Sequence, residues 1–179
     1  MPARYTDRIS GTAAAIRVEN GDVGPQSGAA CRAPRTVNTP FYVYRHVIGL
    51  LETNLVGNVY FAHYLAWQGV CREMFLREHA ADVLDDLRGS LRLITLQCNC
   101  RYFAELDGFE EVEIRMRLKN VHQNRIKIEF EYFVNRSGQM ILAARGEQEI
   151  ACMRRGPAGL NPCPIPEQLE VALRPYRAL

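Results

Sequence analysis

The chain has 179 residues, of which 47% are hydrophobic and 23% charged, with a formal net charge of +2 at pH 7. That length suits one domain with a real core and is short for two, and the composition excludes a disordered chain. No apolar run reaches the roughly 18–20 residues that cross a bilayer, and no apolar segment follows Arg4, Asp7 and Arg8, so a cytoplasmic protein is expected, with no membrane or nucleic-acid partner.

Residues 1–38 are rich in Gly, Ala, Ser and polar groups without sustained periodicity, and read as a flexible N-terminal arm. Phe41 to Ile48 is β-branched and aromatic, hence a first strand. Glu52 to Asn58 breaks that pattern, with Gly57 and Asn58 offering loop and N-cap chemistry. From Val59 to about His79 the period changes. Tyr60, His63, Tyr64, Trp67, Cys71, Met74, Phe75 and Glu78 fall three or four apart, predicting a long helix with a mainly apolar stripe. Ala80 to Gly89 is charged and reads as a connection with a short helical turn at Val83-Leu84.

Four strands follow. Leu91 to Phe103 is the first. Val112, Ile114, Met116 and Leu118 alternate with charged residues in the second, and Ile126 to Val134 does the same in the third. Met140 to Met153 makes the last. Alternation at period two means one face on a core and the other in water. Residues 156–179 hold five of the nine prolines and read as a surface tail with one helical turn at Glu167 to Leu173. A strand, a long helix and four antiparallel strands fit best as an α+β sheet wrapped around its own helix, the hot-dog arrangement, over residues 39–155. An open sheet edge invites a second copy, so a homo-oligomer, dimer or tetramer, is expected.

Six cysteines (Cys31, Cys71, Cys98, Cys100, Cys152, Cys163) appear without a secreted context, so reduced and mostly buried thiols are expected. Cys98 and Cys100 share a strand face, but no second pair at ligand spacing accompanies them, so no metal site is predicted. Only two lysines, Lys119 and Lys127, stand among the 22 basic residues. The arginine excess suits docking of an acidic carrier protein and equally suits codon bias.

No nucleophile elbow, phosphate loop or zinc motif occurs. What remains is the turn from Glu52 to Phe61, followed by Tyr64 and Arg72. A loop that breaks at glycine and opens onto a helix offers unpaired N–H groups and the positive end of the helix dipole. Such donors suit a thioester carbonyl, whose oxygen gains negative charge as water attacks.

The stretch Glu52 to Phe75 is similar to the signature of the hydroxybenzoyl-CoA thioesterase group of hot-dog proteins, in which Asp-x-x-Gly precedes the helix. Here that motif reads Asn54-Leu55-Val56-Gly57. Within the group the chain most resembles the thioesterases associated with enediyne polyketide synthases. The resemblance implies hydrolysis of a β-ketoacyl or polyene chain from the acyl carrier domain of an iterative synthase, with no cofactor. It also implies roles for Asn54, Tyr64 and Arg72. An amide cannot exchange a proton usefully near pH 7, so Asn54 would orient water or hydrogen-bond the carbonyl. Arg72 would stabilise the oxyanion or an enolate, and Tyr64 would position either group. Gly57, Asn58, Val59, Phe61, Leu65 and Trp67, with Phe103, are expected around a long-chain acyl substrate.

Each residue also has a plainer reading. Asn54 as a turn former, Tyr64 as a packing residue and Arg72 as an ion-pair partner are all common roles. Glu52 is held in reserve as the nearest carboxylate, and His63 as structural. Arg72 lies 14 residues beyond Asn58, about 21 Å along a helix, so it is expected to serve the loop of a neighbouring subunit. A general acyl-CoA thioesterase and a non-catalytic acyl-chain or carrier-protein binding module remain open.

Overall fold

Alternating residues become the two faces of one antiparallel sheet, and the helical stripe becomes what that sheet encloses. A computed structural model describes residues 41–178; the expected arm at residues 1–38 lies outside them. In chain order the elements are β1 (Tyr42–Val47), a 3-10 turn (Leu50–Glu52), α1 (Ala62–His79) and α2 (Ala81–Arg88). Then come β2 (Leu91–Tyr102), β3 (Glu111–His122), β4 (Arg125–Arg136), β5 (Gln139–Gly156) and β6 (Gly159–Pro162). The chain closes with α3 (Glu167–Leu173) and a 3-10 turn (Arg174–Tyr176).

The long strands lie in the order β1-β3-β4-β5-β2, so the strand before α1 forms one edge and the strand after α2 the other. Val112, Ile114, Met116 and Leu118 of β3 and Ile126, Ile128, Phe130, Tyr132 and Val134 of β4 all point inward and are buried. They meet Tyr64, Trp67, Gln68, Cys71, Phe75 and Leu76 of α1. Full burial of one such apolar side chain stabilises by about 1.5–3 kcal/mol. Register shifts at Thr95/Gln97, Leu118/Asn120 and Tyr132/Phe133 break the ladder, and bulges of this kind let a sheet coil around a helix. This is the hot-dog arrangement.

The outward residues form ion-pair rows. Arg117 meets Glu129 at 3.0 Å, Arg145 meets Glu131 at 3.0 Å and Arg125 meets Glu149 at 2.9 Å. Pairs this exposed contribute at most about 1 kcal/mol each, so they keep the face wet more than they hold the fold.

Three details depart from the sequence expectation. The helix begins at Ala62, because Val59 N–H is held by the Leu106 carbonyl at 2.7 Å and Tyr60 N–H by the Glu52 carbonyl at 2.9 Å. The connection after α1 is a full helix, α2, which buries Val83. After Gly156, β6 pairs with β5, and α3 sets Leu169 and Leu173 into the core. No helix among the described residues is long and apolar enough to cross a membrane.

Candidate active site

The loop between β1 and α1 is pinned by Glu52. Its carboxylate accepts from Gly49 N–H at 2.7 Å and from Trp67 Nε1 at 2.7 Å, and bonds His46 Nε2 at 2.8 Å. Burial opposes ionisation, but the Gly49 amide, His46 and Trp67 together outweigh it and hold this carboxyl below its usual range. Glu52, held in reserve from the sequence as the nearest carboxylate, is therefore a fully engaged anchor. It ties the loop to the helix.

Asn54 stands at the head of a tight turn. Its N–H donates to the Asn58 carbonyl at 2.8 Å, and Gly57 N–H donates back to the Asn54 carbonyl at 3.0 Å. Its Oδ1 accepts from Val56 N–H at 2.9 Å, and its Nδ2 donates to Asn58 Oδ1. Gly57 has φ 97°, a conformation that glycine tolerates without strain. Asn58 thus supports Asn54 and does not cap the helix, as had been expected of it; no side chain caps α1. His63 N–H is taken up by the Tyr60 carbonyl at 3.0 Å, and the other first-turn N–H groups keep the character of open donors at the positive end of the helix.

Beside that helix start is a cleft of about 280 Å³ lined by Asn58, Val59, Phe61, Tyr64, Tyr102, Phe103, Ala104 and Glu105. Tyr64 is buried, its ring 5.0 Å from Tyr102 and 5.4 Å from Tyr132. Burial, above all, pushes its phenol well up, so it remains a neutral hydroxyl. Tyr102 Oη donates to the Phe61 carbonyl at 3.1 Å and so holds the cleft's outer lip, its own phenol pushed up to about 12 by burial first.

Of the residues expected here, Asn58, Val59, Phe61 and Tyr64 line the cleft and Phe103 joins them. Asn54 and Gly57 lie next to it in the turn. Trp67 is buried and committed to Glu52, and Leu65 is half-buried outside the lining. Tyr102, Ala104 and Glu105 were not anticipated. They sit where β2 ends, and a strand's end carries no pattern of its own. Glu105 is the carboxylate of this lining.

Arg72 is elsewhere. Three helical turns on from the α1 start, it donates to Thr95 Oγ1 and Gln148 Oε1, each at 3.2 Å. Burial draws its pKa down from the usual arginine value. It borders a separate cavity of about 410 Å³ with Met74, Leu76, Leu84, Leu87 and Leu93. Within one chain the structure does not bring Arg72 to Asn54.

Residues 48–173 match the thioesterase-like superfamily. A 1,4-dihydroxy-2-naphthoyl-CoA hydrolase from Microcystis aeruginosa is 23% identical over 131 residues, covering 71% of this chain and 88% of that protein. Among solved structures, the dynemicin thioesterase, studied with bound polyene, is 47% identical with a TM-score of 0.76. That match covers 78% of this chain and 99% of the other. A 4-hydroxybenzoyl-CoA thioesterase variant is 12% identical with a TM-score of 0.65, covering 75% of this chain and 99% of its own, a likeness of fold alone.

Proposed function

This chain belongs to the thioesterase-like superfamily and is a thioester hydrolase, and we propose that it frees a long β-ketoacyl or polyene chain from the acyl carrier domain of an iterative polyketide synthase. The observation that carries the reading is the cleft at the uncapped start of α1, flanked by the Asn54–Asn58 turn and walled by Phe61, Tyr64 and Phe103. It joins apolar surface for an acyl chain to donors for a carbonyl oxygen. The 47% identity to a thioesterase studied with bound polyene supports the chemical class of that chain.

In the mechanism the thioester carbonyl lies against the first turn of α1. Open N–H groups and the Asn54 amide stabilise the oxyanion that forms as water adds to the carbonyl carbon. The tetrahedral intermediate then expels the thiolate, which takes up the proton that the attacking water gives up, so that the acid and the free thiol leave. Arg72 supplies a full positive charge from a second copy of the chain. Two features support that assembly. Leu51, Leu55 and Val56 are 97%, 106% and 82% exposed in a single chain, which is costly for three large apolar side chains on one loop. The edge strand β2 also presents Leu96 and Tyr102 to solvent, and Phe103 just beyond it is exposed too.

One observation favours a second route. Glu105 lines the same cleft, and a carboxylate there can act as general base toward the attacking water. Hydrolysis of a 3-oxoacyl thioester by wild type and by Asn54→Ala, Arg72→Ala and Glu105→Gln separates the routes. Loss of about a hundredfold in the first two, with Glu105→Gln near wild type, is the outcome for electrophilic assistance. Loss confined to Glu105→Gln assigns the base mechanism. Full activity in Asn54→Ala and Arg72→Ala would remove the proposed roles of both.

A further inference from the structure

Aromatic residues and cysteines aside, two polar side chains are buried among the described residues, Gln68 and Gln148. Both lie in the seam where α1 crosses β5 and the edge strand β2. Gln68 follows Tyr64 by one helical turn and precedes Arg72 by another, so the three share one stripe of α1. Arg72 closes the far end of that stripe on Thr95 and Gln148. Buried amides in a core of this kind are informative because a methionine or leucine fits the same volume without desolvating a polar group.

Gln68 is fully buried. Its Nε2 donates to the Asn99 carbonyl at 2.9 Å. Rotating the amide would press two carbonyl oxygens together, so the assignment of nitrogen and oxygen is fixed by its partner. The nearby Tyr132 hydroxyl is spent on the Tyr64 carbonyl, to which it donates at 2.7 Å. Beneath the amide β5 carries Gly146, where an added Cβ would lie 2.8 Å from the Asn99 carbonyl and collide with Gln68. A bare backbone, a buried amide and a spent edge carbonyl are thus fitted to one another. The amide nitrogen is satisfied by this arrangement. The amide oxygen is not: among the described residues no donor reaches Gln68 Oε1.

We propose that Gln68 Oε1 is a binding point for an O–H donor, making the seam between Tyr64 and Arg72 a polar subsite inside the sheet-wrapped core. Two sources share that chemistry, an ordered water and a hydroxyl or enol carried by a bound acyl chain. The first stands without reference to thioester hydrolysis; the second rests on the reading that the chain binds an acyl group. In either case Gln68 is a positioning residue. Its oxygen cannot take up a proton usefully at neutral pH, and it orients whatever donates to it.

Diffraction from the full-length protein, free and with 3-hydroxydodecanoate, tests this directly. The expected result is an oxygen at hydrogen-bonding distance, roughly 2.6–3.1 Å, from Gln68 Oε1. An oxygen present in the free protein and retained in the complex identifies water. One that appears only with the ligand, as part of it, identifies the chain. No oxygen there in either crystal overturns the proposal. Gln68→Met, which keeps the length of the side chain above Gly146, gives the functional readout. For a hydrolysed 3-oxododecanoyl thioester, kcat/KM is expected to fall about tenfold, the worth of one hydrogen bond. Gln68→Glu, whose buried carboxyl stays protonated and keeps an acceptor, is expected to recover most of it. Equal losses of folding stability in both variants with kcat/KM unchanged would leave Gln68 a purely structural residue and contradict the proposal. A wild-type protein that hydrolyses no thioester would sink the functional reading instead, while the density beside Oε1 would still decide this one.

Discussion

Asn54 shows how much one atom pair can change a mechanism. Its amide replaces the aspartate of the Asp-x-x-Gly pattern, and it is already braced by Val56 N–H and Asn58. Restoring a carboxylate with Asn54→Asp would place negative charge where an oxyanion must form. The expected result is a fall of at least tenfold in kcat for a carrier-bound acyl thioester, measured in single turnover. Glu52 makes the opposite kind of prediction. Its carboxyl is held below the usual value in the fold, so its contribution is complete above the unfolded value and is lost as pH falls through the folded one. Glu52→Gln is therefore expected to cost about 2 kcal/mol at pH 7, with the gap closing in acid below the ordinary carboxylate range. Thermal melts of both proteins across pH 3–7 check it; a gap that stays constant with pH would refute it.

At the level of elements, period-two alternation in β3 and β4 reads directly as burial, because the inward residues are apolar and the outward ones, Phe133 under the Arg115 guanidinium excepted, are mostly charged or polar. The long helix was equally legible, yet its start and its stripe were not. Its start is set by hydrogen bonds from Val59 and Tyr60 to residues distant in sequence or across the loop, which no local pattern encodes. Its stripe includes Gln68, hidden from any hydrophobicity count, while Tyr60 and Glu78 are exposed. The site divides the same way. Asn58, Val59, Phe61 and Tyr64 follow from a loop opening onto a helix. Tyr102 and Glu105 reach the cleft only because the chain just after β2 pairs with that loop, Val59 N–H meeting the Leu106 carbonyl and Asn58 bridging to Asp107. Gly146 is a similar tertiary requirement, and Gly146→Ala is expected to destabilise by about 1–3 kcal/mol through overpacking against Gln68 and Asn99. A melt unchanged from wild type would show that the helix can simply move away.

Over the whole molecule, the two halves of the proposed machinery lie on different parts of one chain. Asn54 stands at the start of α1, and Arg72 three turns on beside its own leucine-lined cavity. The apolar loop residues Leu51, Leu55 and Val56 stand out from the body, and the edge β2 is open. Both are satisfied if a second copy brings its loop toward Arg72. Protein diluted until it sediments as a monomer is then expected to lose hydrolysis while keeping its fold, as followed by circular dichroism.

Complementation between two inactive variants tests the shared site most directly. Asn54→Ala and Arg72→Ala, each inactive alone, are unfolded, mixed in equal amounts and refolded together. If each site draws Asn54 from one chain and Arg72 from its partner, half of the resulting dimers carry one intact site, and about a quarter of wild-type activity returns. If both residues act within a single chain, no mixed assembly contains an intact site, and the mixture stays as inactive as its parts.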